Sequence, residues 1–496
     1  MSMDKAENSG YSHILKYTTL FGGVQGLIIL ISLVRNKAMA VLLGATGIGF
    51  NALMMSVQTF ASQCTNMGLS FGAVPRLSEV YMQDDEQKLD YYIQVIRLWS
   101  LIASVLGLLF CVAVSGLVDN MTFTWGDHTL HYAMLGISVA MLAVTGGETA
   151  VLKATRHMNS LARIQIWGAV GAVVLSVPLY YYWGHSGVVP AIVLIAAMNM
   201  LLTQWHSYRC RPLQLVFSRR HLRDGYGMIR LGVAFVMAAA IGSTAEMAIR
   251  GFLNVEGGMD EVGLYNAAYM ITITYAGMVF SAMETDYYPR LSAVNKDVAA
   301  TNETVNKQTE VSLLLLSPML VALLMALPVL IPLLFSSDFL SVVGMAQVAV
   351  LAMYFKVLTM PVAFITLARS RSLSYLLLET IYFVALAVAI VVGYRSWGIW
   401  GTGVAIVAAH LVECLTVEGY AYFQYGYRST WRIARYALVQ MTIGALAYVV
   451  SLTFEGWGYW IAEAALTLAS TAYSVHVLHQ KTHLWEALMR RLSRRL

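Results

Sequence analysis

Apolar residues along this chain run in long, nearly unbroken stretches, and polar residues collect in short intervals between them. The pattern has no strand-like alternation. Each run approaches or exceeds the roughly 20 residues a helix needs to cross the hydrocarbon core of a bilayer. Spans are predicted at about 17–43, 47–74, 92–118, 130–156, 160–183, 186–208, 229–254, 262–288, 310–335, 340–368, 373–394, 397–424, 431–453 and 457–479. In lipid every backbone polar group must be bonded internally, so helices are the expected element. The fold class that follows is an all-α polytopic membrane protein with about 14 transmembrane helices. The first apolar stretch is read as the first span and not as a cleavable signal, because no small-residue cleavage site follows it.

The pattern also repeats. Pro75-Arg76-Leu77-Ser78 returns as Pro289-Arg290-Leu291-Ser292, 214 residues later, and at the same offset Gly49 falls on Gly263, each at the opening of an apolar segment. The offset maps the first six spans onto spans seven to twelve. Six is even, so the halves share one orientation, and the expected arrangement is two parallel-repeat six-helix lobes related by an axis along the membrane normal, plus two C-terminal helices. The corresponding domains are an N-lobe over 1–208, a basic cytoplasmic linker over 209–228, a C-lobe over 229–424, and two extra spans with a basic tail over 425–496.

Charge then orients the chain. Lys and Arg fall in alternate loops: Arg76, Lys88, Lys153, Arg156, Arg211, Arg219, Arg220, Arg290, Arg371, Arg428 and Arg490 share one side, whereas the other has Arg395 among acids such as Asp119, Asp260 and Asp338. By the positive-inside rule both termini are cytoplasmic. Composition agrees with this solvent, with 58% hydrophobic and 12% charged residues and a mean hydropathy of +0.64. Topology already explains the net charge of +5, which therefore carries no nucleic-acid signal. Cys64, Cys111, Cys210 and Cys414 lie in spans or at their cytoplasmic ends, with no disulfide framework and no metal-ligand spacing. The interspan segments are connector-sized and show no phosphate-cradling Gly-rich loop, zinc spacing or nucleophile elbow, which argues against an enzyme.

Charge inside the spans is the feature that needs a cause, because each buried ionisable group costs several kcal/mol unless it is paired or wet. Arg35 and Lys37 lie in the outer third of span one, Arg250 at similar depth in span seven, Arg97 near the inner end of span three and Lys356 in the middle of span ten. Two readings stand for Arg35, Lys37 and Arg250: snorkelling to outer headgroups, or a shared anion site. Glu246 lies four residues before Arg250 and can pair with it. Glu413, one turn from His410, is the candidate for a coupling proton or Na+; Glu284 and Asp286 are candidates for a gate latch near the basic cytoplasmic loop. Asn51 and Gln58 in span two, with Asn266, Thr272 and Thr274 in span eight, offer uncharged donors and acceptors suited to sugar, and equally to helix packing.

These residues carry a resemblance. Leu42-Leu43-Gly44-Ala45-Thr46-Gly47-Ile48-Gly49-Phe50-Asn51 followed by Pro75-Arg76-Leu77-Ser78 resembles the opening of the multidrug/oligosaccharidyl-lipid/polysaccharide (MOP) flippase superfamily, and Val262-Gly263-Leu264-Tyr265-Asn266 with Tyr288-Pro289-Arg290-Leu291 is similar to its second half. The polysaccharide-transporter or Wzx-type branch fits best. The resemblance implies a flippase that carries an undecaprenyl-pyrophosphate-linked oligosaccharide from the inner to the outer leaflet of the bacterial cytoplasmic membrane by alternating access. Arg35, Lys37, Arg250 and Lys356 would then face pyrophosphate, with Asn51 and Gln58 toward sugar. No resident cofactor is implied. The partners are the lipid-linked oligosaccharide, membrane lipids and polysaccharide-assembly proteins. Two extra spans resemble those of longer polysaccharide transporters and the lipid II flippase. The alternatives are a lipid II-like flippase, a cation-coupled drug antiporter and, more distantly, a membrane glycan ligase or polymerase. Span one has no acid of the kind an antiporter would use there.

Overall fold

The computed structural model describes residues 3–122, 128–274, 277, 287–288, 290–369 and 371–482, and among them there is no strand. The helices are α1 (Met3–Thr65), α2 (Leu69–Met82), α3 (Glu86–Thr122), α4 (Thr129–Ala154), α5 (Met158–Trp183), α6 (Val188–Cys210) and α7 (Arg219–Gly257). They continue as α8 (Met259–Tyr269), α9 (Val298–Leu334), α10 (Val343–Ala368), α11 (Ser372–Tyr425), α12 (Trp431–Thr453) and α13 (Gly456–Thr482). Nine helical stretches among the described residues are long and apolar enough to cross a membrane. The fold is all-α and polytopic.

Several of these stretches hold two of the sequence-predicted spans each, joined at a tight glycine turn. α1 turns at Gly44 (φ 66°, ψ −164°), α5 meets α6 at Gly184 (φ 57°, ψ −136°), and α11 turns at Gly398 (φ 60°, ψ −148°). Between α7 and α8 stands Gly258 (φ 86°, ψ 175°). A β-carbon is disfavoured at such positive φ, which is why glycine occupies these turns. Gly44 and Gly258 are 214 residues apart, and so are Gly184 and Gly398. The duplication seen in the sequence is therefore a duplication of backbone conformation.

Repeat mates also touch. Thr46 Oγ1 donates to Asp260 Oδ1 across the repeat offset of 214 residues. A β-carbon on Gly49 would collide with the carbonyl of Met259, and one on Gly263 with the carbonyl of Ala45. Each collision is the image of the other under the same offset. Reciprocal contact of this kind is the signature of local two-fold symmetry, here between residues 45–49 and 259–263.

The repeated motif has a packing reason as well. Leu77 and Leu291 are both fully buried, in clusters with Val80, Leu89 and Ile93 and with Val305, Val362 and Ile365 respectively, while Arg76 and Arg290 remain exposed.

Span two departs from the expected continuous helix over 47–74. It stops at Thr65, turns through Met67 (φ 53°) and Gly68 (φ 67°), and resumes as α2. Two left-handed residues in succession cannot continue a right-handed helix, whereas the apolar run that masks this break continues through it. Span eight begins as α8 and passes into a π turn over Met270–Thr274.

By contacts the chain forms two compact units, Met1–Gly263 with Leu334–Ser336, and Leu264–Leu333 with Ser337–Leu496. In the first unit α3 packs on α4, α4 on α6 and α1 on α5, and α7 packs against α1, α2 and α3. In the second unit α10 packs along α11 and α12 packs on α13.

Candidate functional site

In the first unit, a cleft of about 400 Å³ opens between α1, α5 and α6, lined by Ser32, Arg35, Gln165, Gly168 and Asn199 together with apolar residues that include Ile28 and Ile195. Ser32 and Arg35 lie one turn apart on α1, Gln165 and Gly168 one turn apart on α5. A β-carbon at Gly168 would fall on the amide oxygen of Asn199, so this glycine admits the Asn199 side chain. The Nε of Arg35 is buried and has no hydrogen-bond acceptor. Buried donors are ordinarily satisfied, and a guanidinium that lines a cleft beside neutral amides brings both charge and hydrogen-bond donors to an acceptor entering it.

The other intramembrane cations of this unit are differently placed. Arg97 is 5% exposed and meets Glu148 (2% exposed) in a bidentate pair, Nε to Oε1 at 2.9 Å and Nη2 to Oε2 at 3.3 Å. Its remaining donors reach the carbonyls of Pro212 (2.6 Å) and Arg211 (2.9 Å), and Ser207 donates to Glu148 at 2.6 Å. This saturated network fixes the extended segment that leaves α6. Gln94 also bonds Gln214 (2.8 Å), and Arg211 pairs with Glu86 (2.5 Å) and Asp90 (3.2 Å), contacts that raise the Arg211 guanidinium above its ordinary pKa.

Arg250 pairs with Glu246 on its own helix at 2.9 Å. Lys37 is half-buried and Asn51 half-buried, and neither lines the cleft. Gln58 donates its amide to Ser138 at 2.7 Å, a buried bond between α1 and α4. Of the six residues read as substrate-binding from sequence, the cleft therefore gathers Arg35. Glu284 and Asp286 lie outside the described residues.

The second unit carries a compact polar cluster. Lys356 on α10 bonds Glu413 on α11 at 2.9 Å, and its ammonium lies 5.6 Å from the ring centre of Tyr382. Tyr382 in turn approaches His410 Nε2 at 3.5 Å. His410 Nδ1 faces the Ile406 carbonyl at 3.0 Å. The second Glu413 oxygen, Oε2, is buried and has no hydrogen-bond donor. Glu413 thus pairs with the lysine on the neighbouring helix. A buried pair like this is costly to break one partner at a time, since the survivor remains as an isolated charge.

The sequence offset relates these two clusters. Gln165 corresponds to Glu379, Gly168 to Tyr382 and Asn199 to Glu413. Where the second unit has the ring of Tyr382, the first has a glycine whose side-chain space is taken by the Asn199 amide. Gln165, Asn199 and Gly168 escaped the reading of the sequence because neutral amides and a glycine raise no hydropathy alarm. The repeat offset, carried onto Glu379 and Glu413, was the signal that could have found them.

A family described as "Polysaccharide biosynthesis protein" matches residues 38–344, more than half of the chain. The chain belongs to this polysaccharide biosynthesis protein family. No curated protein matches it. Its fold is similar to that of the lipid II flippase MurJ in an inward closed conformation, with a TM-score of 0.72 at 12% identity over 93% of this chain and 99% of that one. It is similar to an inward-facing multidrug resistance MATE family transporter of the MOP superfamily, with a TM-score of 0.67 at 15% identity over 83% and 95%. A third similar structure is a MOP superfamily transporter from Pyrococcus furiosus with a binding pocket of reverse polarity (TM-score 0.51, 15% identity, 88% and 95%). At these identities the likeness concerns the fold. Family and fold together make this member of the polysaccharide biosynthesis protein family a multi-pass membrane protein with the fold that those transporters share.

Proposed function

We propose that this protein flips an undecaprenyl-pyrophosphate-linked oligosaccharide from the cytoplasmic to the outer leaflet of the bacterial cytoplasmic membrane, leaving the cargo chemically unchanged. The observation that carries this reading is the Arg35 cleft: a cation with an unused donor among uncharged polar groups. A cationic drug would be repelled there, whereas a pyrophosphate would gain charge-assisted hydrogen bonds. The polyprenyl tail needs no pocket, because the bilayer itself solvates it. The family's place in polysaccharide biosynthesis supports a glycan as cargo.

Coupling is assigned to the Lys356–Glu413 pair. A proton delivered to Glu413 would neutralise it and free the Lys356 ammonium, which converts ion binding into a change of contacts between α10 and α11. A Na+ ion would compete with the same ammonium for the same carboxylate. Arg250 with Glu246, and Lys37, remain candidates for guiding the anion along the path. The basic loops face the cytoplasm in this reading, together with both termini.

The test is a strain lacking the gene. It should accumulate lipid-linked glycan in the inner leaflet, and the wild type should restore export. Arg35→Ala should fail to restore it at normal protein level, and Arg35→Lys should restore it in part. Normal export by Arg35→Ala would remove the site assignment.

A further inference from the structure

The two repeats have kept a polar position at the same two places and have changed its charge. Gln165 and Asn199 in the first unit are neutral amides where the second unit has Glu379 and Glu413, and Gly168, at the position of Tyr382, gives its space to the Asn199 amide. A carboxylate at either first-unit position would repel an anion held by Arg35. An amide removes that repulsion and keeps both a donor and an acceptor. The cleft volume of about 400 Å³ falls in the usual range of small-molecule sites, about 300–1,000 Å³. A site built for phosphate alone would gain more from a second cation than from two amides. One arginine with two amides and the Ser32 hydroxyl fits a phosphate with a hydroxylated ring attached.

We infer that Gln165 and Asn199 are specificity residues that read the sugar nearest the pyrophosphate, while Arg35 holds the phosphate. This rests on the flippase reading above and adds to it the part of the cargo that the first unit recognises. Gly168 serves the same end by making room for the Asn199 amide. The second unit carries acids at the equivalent positions, which repel an anion.

The experiment measures binding of two probes to the purified full-length protein. One is a short-chain polyprenyl pyrophosphate, and the other is the same molecule carrying a single N-acetylhexosamine. The wild type should bind the glycosylated probe about ten- to thirtyfold more tightly than the bare one, the increment expected of two net hydrogen bonds. Gln165→Ala and Asn199→Ala should each lose most of that increment and keep the affinity for the bare probe. Gly168→Ala, which displaces the Asn199 amide without removing it, should behave like Asn199→Ala and guards against a misfolded variant being misread. Gln165→Glu should weaken both probes through charge repulsion. If the wild type binds both probes equally, or the amide variants keep the full increment, this inference is wrong and the flippase reading stands. If the wild type binds neither probe, both fall together.

Discussion

Arg35 and Arg97 are both cations in apolar helices, yet their surroundings give them opposite roles. Arg97 spends its donors on Glu148 and on the carbonyls of Arg211 and Pro212, so it is a structural clamp. Replacing it by Leu should strand the Glu148 carboxylate and cost about 3–5 kcal/mol, seen as loss of monodisperse protein and an earlier thermal transition. The double variant Arg97→Leu/Glu148→Leu should recover much of that loss, and if it does not, the pairing is not the cause. Glu261, at the start of α8, gives a prediction in pH. Burial, and then the neighbouring Asp260 charge, raise its carboxyl above the usual range, and its Oε2 has no donor. The native state therefore binds this proton more tightly than the unfolded chain, and stability should fall as pH rises through the raised value. Glu261→Gln should flatten that fall while changing little at pH values below the ordinary carboxylate range. Equal pH slopes in the two proteins would contradict it.

At the scale of elements, each repeat is built of helical hairpins closed by glycines of positive φ, and repeat mates approach closely at Gly49 and Gly263. Backbone meets backbone there, so side chains cannot adjust. Gly49→Val should separate the start of the second half of α1 from α8, at a cost typical of overpacking, about 1–3 kcal/mol. The adjacent Thr46–Asp260 bond supplies a direct assay. In a background without Cys64, Cys111, Cys210 and Cys414, the pair Thr46→Cys/Asp260→Cys should close to a disulfide on mild oxidation, measured as loss of maleimide-reactive thiols. Adding Gly49→Val should slow the closure severalfold. Persistent thiols in the parent pair would show that the repeat mates do not meet. The hairpins were legible in the sequence as closely spaced apolar runs. The break after Thr65 was not, because Met67 and Gly68 sit inside uninterrupted hydropathy and only their backbone angles end the helix.

At the scale of the whole molecule, the span pattern and the 214-residue duplication could be read directly, since lipid solvation imposes long apolar runs and gene-scale repetition preserves turn glycines. The pairing of charges could not. Arg97 and Glu148 are 51 residues apart and Lys356 and Glu413 are 57 apart, and nothing local in either segment announces its partner. Nor could the sequence assign α7, the first helix of the second repeat, to the compact unit of the first. The two appended helices pack on each other through Gln440, whose amide donates to Ser474 (2.8 Å) and whose oxygen accepts from Ser470 (2.7 Å). Tyr459 ties α13 to the Met325 carbonyl of α9 at 2.9 Å. Gln440→Leu should loosen that hairpin and lower the thermal transition by a few degrees, with transport reduced only as far as folded protein is lost; a normal transition would show that the network adds nothing.

The proposed transport carries a glycan-bearing polyprenyl pyrophosphate between leaflets without altering it. The measurement that meets it most directly places such a lipid in liposomes containing the purified protein and follows the fraction of glycan reachable by an impermeant lectin. The account predicts exchange between leaflets that empty liposomes lack and that Arg35→Ala abolishes, with every recovered molecule of unchanged mass. Exchange no faster than in empty liposomes, or a glycan cleaved or lengthened during the assay, would contradict it.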